Sequence, residues 1–278
     1  LITKAINDRD NSLTKKYTYN DYLNGSVELK NKPLNTFYSY RFKGLSATDG
    51  TPIFYGTEEE NKDELYEKYR HMSDEEVWDA VLVESGTRVP TLQGGVSNYF
   101  GWRQFGLSMN FTYSFGNKVR MLKMCDANNI TPYPERNMRK EFVNRWQKPG
   151  DEQRTNIPGL KPSDKTNNPW WVQSAYTSSG EMTAFAGSDI YAMYDLSDIR
   201  VVKGDYLKLQ SLSFRYNVHD KFCKKIGIKS AYLSLSATNL FTITNKKLKG
   251  QDVTQSGNSP TINMSLRPNY SFQLNVTF

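Results

Sequence analysis

Cysteine and histidine are nearly missing from the 278 residues, with two of each. Cys125 and Cys223 show no close metal-ligand or dithiol spacing, and His71 and His219 are the sole imidazoles. No zinc or other metal centre is expected. Long apolar runs are missing too. The longest aliphatic stretch, Ala80 to Val83, falls far short of the roughly 18 residues a spanning helix requires, so transmembrane helices are excluded. Leu1 to Asp10 lacks a basic region followed by an apolar one; if the protein is exported, its signal is expected outside this chain.

Short catalytic signatures are also lacking. There is no glycine-rich phosphate loop, no G-x-S-x-G elbow and no H-E-x-x-H, so neither an enzyme nor a cofactor is expected. A carboxylate pair brought together in space, as in a glycosidase, stays open at this stage. Hydrophobic residues reach 37%, below the usual globular share of about 45 to 50%. Aromatics reach 13%, with 18 Tyr, 14 Phe and 5 Trp, which argues against disorder.

The formal charge of +7 is unevenly spread. Ser46 to Arg88 holds twelve acidic and four basic side chains, a net of −8, leaving +15 for the remainder. That positive charge does not gather on one face with interleaved aromatics, so no nucleic-acid partner is expected.

Strand periodicity dominates. Phe105, Leu107, Met109, Phe111, Tyr113 and Phe115 alternate with Gly106, Ser108, Asn110, Thr112 and Ser114, an unbroken period of two. Tyr270, Phe272, Leu274, Val276 and Phe278 repeat it against Ser271, Gln273, Asn275 and Thr277, and Leu233, Leu235 and Ala237 alternate with Ser234, Ser236 and Thr238. Along Tyr206 to Val218 the phase slips, because Leu207 and Leu209 are odd whereas Leu212, Phe214, Tyr216 and Val218 are even. A bulge near Gln210 or Ser211 accounts for the slip. Weaker strands are expected at Asn35 to Leu45 and Thr91 to Phe100.

Links between these strands alternate in length. Tyr99 to Gln104 and His219 to Gly227 are short, while Ser46 to Arg88, Gly116 to Ser197 and Thr242 to Asn263 are long. Membrane β-barrels have short periplasmic turns and long outer loops, whereas compact soluble domains rarely carry three such loops. Within the long segments, Ser73 and Glu76 have capping-box spacing. Met138, Phe142 and Trp146 recur at i, i+4 and i+8, the packing stripe of a loop helix. The Gly, Ser, Asn and Thr face suits a wet lumen and the Phe, Leu, Met and Tyr face suits lipid. The 11 residues from Phe105 to Phe115 match the length of a tilted spanning strand. The competing reading is a secreted soluble β-sandwich, glycan-binding or glycan-cleaving, with the aromatic faces as its core.

Several segments resemble one family. Arg200 to Leu209, followed by Tyr232 to Phe241 with its Thr238-Asn239-Leu240-Phe241 ending, resembles the closing hairpin of SusC/RagA-type TonB-dependent outer-membrane transporters. Tyr40 to Leu45 with Asp49-Gly50-Thr51-Pro52, then Val89-Pro90 with Gly94-Gly95, then Arg145 to Asp151, resemble further segments in the family's order. The resemblance implies an all-β fold: the carboxy-terminal strands of a barrel of about 22 strands, with residues 1 to 278 forming one part of its wall. It implies a plug domain that this chain lacks, TonB acting through that plug, and a SusD-type surface lipoprotein as lid. It also implies an outer-membrane location, outer-membrane lipid around the wall, and import of an oligosaccharide or peptide. The terminal strand residues Tyr270, Phe272, Leu274, Val276 and Phe278 resemble the family's barrel-assembly signal. Where many members carry an acidic-proline element, this chain has Gly250-Gln251-Asp252-Val253.

Candidate recognition residues are the loop aromatics Trp170, Trp171, Tyr176 and Tyr191, whose rings combine an apolar body with a polar tip. The acidic cluster Glu58, Glu59, Glu60, Asp63 and Glu64 lacks the alternating spacing and central glycine of a calcium loop and reads as a solvated run. Counting crossings puts Cys125 in an outer loop and Cys223 in a periplasmic link, too far apart for a disulfide.

Overall fold

The computed structural model describes residues 17–29, 31–124, 139–160, 190–249, 251–254 and 267–278. Among them, the strands are β1 (Thr36–Tyr40), β2 (Phe42–Leu45), β3 (Pro52–Phe54), β4 (Leu82–Thr87), β5 (Leu92–Trp102), β6 (Phe105–Phe115), β7 (Lys118–Arg120), β8 (Val201–Lys203), β9 (Tyr206–Asn217), β10 (Ser230–Thr244) and β11 (Asn269–Thr277). The α-helices are α1 (Tyr19–Asn24), α2 (Lys62–Arg70), α3 (Asp74–Val81), α4 (Ile190–Asp195) and α5 (Asp220–Lys225). The chain divides into two compact units, the first built from described residues within 17–88 and 120–202, the second from those within 89–119 and 203–278.

The second unit is built on a five-stranded sheet in the order β11-β10-β9-β6-β5. Every neighbouring pair is antiparallel. The continuous alternation of Phe105 to Phe115 becomes β6 over those same residues. The phase slip in β9 has the cause the sequence suggests. Ser211 faces Asn110 while Leu209 faces Phe111, so Gln210 is the extra residue. On its other side Thr238 faces Ser211 and Phe241 faces Leu209, which sets Asn239 and Leu240 of β10 against Gln210. Asn239 takes φ +55° there, a conformation asparagine tolerates better than most non-glycine residues.

Two residues, Arg103 and Gln104, link β5 to β6, and Val218 to Lys229, carrying α5, link β9 to β10. The β6-to-β9 and β10-to-β11 connections leave from the opposite end of the sheet and are long. Short and long links thus sort to opposite ends, as the sequence spacing predicts. Cys223 is fully buried on α5, with its Sγ 3.8 Å from the Val218 carbonyl; Cys125 lies outside the described residues.

The first unit has an aromatic core. β1 pairs antiparallel with β4, and β2 with β3, so the strand expected over Asn35 to Leu45 is split at Arg41. On α3, Val77, Trp78 and Val81 are buried, one face at i, i+1, i+4 spacing. The Tyr22 ring meets Tyr38 and Trp78, each at 5.3 Å, and Phe42 meets Tyr194 at 5.8 Å. The expected cap is present: Glu76 N–H donates to Ser73 Oγ at 3.4 Å, and Ser73 N–H to Glu76 Oε2 at 2.8 Å. The Ser73 N–H, and the Ser73 hydroxyl donating to the same Oε2 at 3.0 Å, hold the Glu76 carboxyl below its ordinary range.

The expected loop-helix stripe does not form as a helix. Lys140–Asn144 is a 3₁₀ turn that buries Phe142, and at Arg145 the backbone is extended, with φ −68° and ψ 163°. Trp146 therefore leaves the helical register. Its N–H donates to the Ile157 carbonyl at 2.9 Å, and its ring covers Gly50. Met138 lies outside the described residues.

Candidate functional site

The five-stranded sheet carries two chemically opposite faces, and adjacent cross-strand rows display them. Phe100, Leu107, Phe214, Leu235 and Phe272 align across all five strands. One residue along, the row is Tyr99, Ser108, Ser213, Ser236 and Ser271. Successive residues of a strand point to opposite sides, so the first row is apolar throughout and the second hydroxylic throughout. Ser236 Oγ and Ser271 Oγ are 2.6 Å apart.

Aromatic rings gather at both ends of the apolar face. At the short-link end Trp102 stacks on Phe105 at 6.1 Å, and Phe105 meets Tyr216 at 5.0 Å. At the long-link end Tyr113 stacks on Phe115 at 5.7 Å. Between them lie Leu107, Met109, Phe111 and Leu212. The face is open: Trp102, Phe272 and Leu274 are 65%, 64% and 60% exposed. A sandwich core would bury these side chains; here they form an open apolar band ended by aromatic rings.

The polar face combines small residues with a few larger groups. Tyr99 lies over Gly106, where an added Cβ would stand 2.8 Å from Tyr99 Oη, so glycine provides the space for the ring. Arg215 lies over the Tyr232 ring at 3.8 Å, and its Nε–H donates to Asn217 Oδ1. Asn110 Nδ2 donates to Ser211 Oγ at 2.7 Å beside the bulge. Near the long-link end, Asp205 Oδ1 accepts from Gly116 N–H at 2.7 Å, and Gly204 N–H donates to the Asn117 carbonyl at 2.9 Å. The Lys203-Gly204-Asp205-Tyr206 segment thus ties the exit of β6 to the entry of β9.

Both edges of the sheet lack a further strand among the described residues. β5 forms one edge and β11 the other. Tyr270, Phe272, Leu274, Val276 and Phe278 are all exposed. The first four sit on β11 opposite Ala237, Leu235, Leu233 and Ala231 of β10.

The expected recognition aromatics do not come together as a described surface. Tyr191 is fully buried on α4, in the core of the first unit with Met193 and Tyr194. Trp170, Trp171 and Tyr176 lie outside the described residues. In the acidic cluster, Glu58 pairs with Lys43 at 3.5 Å and Glu59 with Lys62 at 3.1 Å.

Sequence reading missed the buried cations of the first unit. Arg120 donates to the Leu23 and Tyr38 carbonyls at 3.0 and 2.8 Å and to Ser39 Oγ at 2.9 Å. Its guanidinium lies over the Phe37 ring at 5.0 Å. Burial pulls its pKa down to about 9, and these acceptors keep the cation in place. Arg200 donates to the Leu122 carbonyl and stands 3.8 Å from Asp195, whose Oδ1 accepts from Met124 N–H at 2.7 Å. Their partners are scattered through the sequence, so no local pattern marks them.

No protein-family model and no curated protein matches the sequence. Among solved structures, the chain is similar to a chain of the RagAB peptide transporter, with a TM-score of 0.54 and 19% identity over 88% of this chain and 23% of that one. It is also similar to a chain of the RagAB peptide importer in a closed-closed state, with a TM-score of 0.53 and 18% identity over 87% and 23%. This chain thus spans under a quarter of the length of those chains. At such identity the likeness is one of fold, and it agrees with the all-β, antiparallel architecture described above.

Proposed function

We propose that this chain forms part of the wall of a bacterial outer-membrane transporter of the SusC/RagA type. One observation carries the reading: the five-stranded sheet has an exposed apolar face ended by aromatic rings and a hydroxyl-rich opposite face, with both edges open among the described residues. In lipid an open sheet edge leaves backbone groups unsatisfied, each costing several kcal/mol. The wall is therefore completed by further strands, which meet β5 and β11. Phe278 and the exposed row of β11 supply the assembly signal. The apolar face lies against lipid and the polar face lines the lumen.

The transport cycle proposed is gated uptake without bond-making by this chain. A surface lipoprotein of the SusD type closes over the cargo, TonB acts through a plug domain, and this chain contributes wall and outer connections. Peptide is the favoured cargo, because the similar structures are those of a peptide transporter; oligosaccharide is the alternative. Uptake of labelled oligopeptides and oligosaccharides by cells with and without the gene tests the proposal. Peptide accumulation that needs both the gene and TonB supports it. Release of the protein into the soluble periplasmic or secreted fraction contradicts it.

A further inference from the structure

On the second unit, a pocket of about 290 Å³ is lined by Lys208, Asn239, Phe241, Thr242, Gln251 and Asp252, among others. Two of its polar groups have no partner among the described residues. Lys208 is 4% exposed, and among the described residues its side chain makes no hydrogen bond or ion pair. Asn239 Oδ1 is buried with no hydrogen-bond partner among the described residues. Buried polar groups are ordinarily satisfied, so the Asn239 oxygen calls for a donor.

The local structure explains why both groups come here. After the bulge at Gln210, Lys208 falls on the polar face, between Thr112 of β6 and Thr242 of β10. Asn239 is the positive-φ residue of the matching irregularity in β10. The Gln251-Asp252-Val253 segment lines the same pocket. Val253 and Gln251 are buried, and Asp252 Oδ1 is occupied by Thr254, accepting from its N–H at 2.8 Å and its Oγ1 at 2.7 Å.

We propose that this pocket binds the carboxyl-terminal residue of a peptide, the Lys208 ammonium taking the carboxylate and Asn239 Oδ1 accepting the amide N–H of the same residue. An ammonium and an orphaned carbonyl oxygen in one pocket ask for an anion with an N–H donor beside it. A peptide carboxyl terminus offers both, separated by a single carbon. Naming a peptide rests on the transporter reading; the pocket's call for an N–H donor rests on the unpartnered Asn239 oxygen, and its call for an anion on the Lys208 charge beside it.

Calorimetric titration of the membrane-extracted protein carrying this chain tests it, with N-acetyl-Ala-Ala, its carboxyl-terminal amide and N-acetylneuraminic acid as probes. The free-acid peptide is expected to bind. Lys208→Met is expected to weaken it by about 10- to 100-fold, the loss of a hydrogen bond to a charged group. Asn239→Gly, which keeps the positive φ, is expected to weaken it by about 2- to 10-fold. In the wild type the amide should bind as poorly as the acid does to Lys208→Met. Equal binding of acid and amide, no loss in Lys208→Met, or no binding by a heat-modifiable wild-type protein would overturn the proposal. Tighter binding of the sugar acid than of the peptide would overturn the peptide assignment. Loss of uptake with peptide binding intact would instead count against the transport reading.

Discussion

Gly50 lies beneath the indole of Trp146: at its φ of +68° an added Cβ would stand 2.4 Å from Trp146 Cδ2. Gly159 N–H donates to the Gly50 carbonyl at 3.0 Å and closes the same junction. Gly50→Ala combines left-handed backbone strain with a clash, so it is expected to destabilise the first unit by about 2 to 4 kcal/mol. Trp146→Ala relieves the clash, so the two changes should be non-additive. Hydrogen exchange of the Gly159 amide in the single and double variants measures this; additive effects would show that the ring and the glycine are not coupled.

The cap of α3 predicts an acid-sensitive helix. Glu76 has its pKa lowered by the Ser73 hydrogen bonds, so its contribution is present above the ordinary carboxylate range and lost as pH falls through the lowered folded value. Ser73→Ala is expected to cost about 1 kcal/mol at neutral pH and to remove the hydroxyl's part of that acid dependence, leaving the part due to the residue-73 N–H. Amide exchange along Asp74 to Val81 as a function of pH reads both effects.

Tyr69 gives the opposite sign. Its hydroxyl donates to the Gly56 carbonyl at 2.7 Å, and burial raises its pKa. The neutral phenol is the form the fold prefers, so its contribution is complete below about pH 10 and is lost as pH rises toward the raised folded value. Tyr69→Phe is expected to lose about 1 kcal/mol at neutral pH and part of the alkaline sensitivity. Thermal unfolding of the two proteins between neutral and alkaline pH decides it.

At the β10 irregularity, Asn239→Val is expected to cost about 1 to 3 kcal/mol, because a β-branched residue is held at positive φ. Asn239→Gly is expected to be tolerated. The temperature at which heat-modifiable gel mobility is lost compares them; equal loss in both would remove the backbone explanation.

What the sequence reveals here follows from the physics of each element. The long strands are legible because each has one continuous apolar row, as in Phe105 to Phe115, and the bulge at Gln210 because a one-residue insertion inverts the phase. The Ser73 cap is legible because both partners lie within four residues. The Trp146 contact with Gly50 is not, since its helical spacing to Phe142 is overridden by a contact distant in sequence. Tyr191 reads as a loop aromatic because its polar tip suits exposure, yet α4 carries it into the core beside Met193 and Tyr194. The Lys208 pocket is invisible in sequence, because it needs the bulge and the 251–253 segment together.

If the five-stranded sheet is a membrane wall, as proposed, neighbouring residues of β6 face opposite media. Spin labels at Leu107 and Ser108, in the protein reconstituted into lipid, should respond oppositely to oxygen dissolved in the bilayer and to a water-soluble nickel chelate. Oxygen access is expected at Leu107 and chelate access at Ser108. Equal access to both quenchers at the two positions would contradict it.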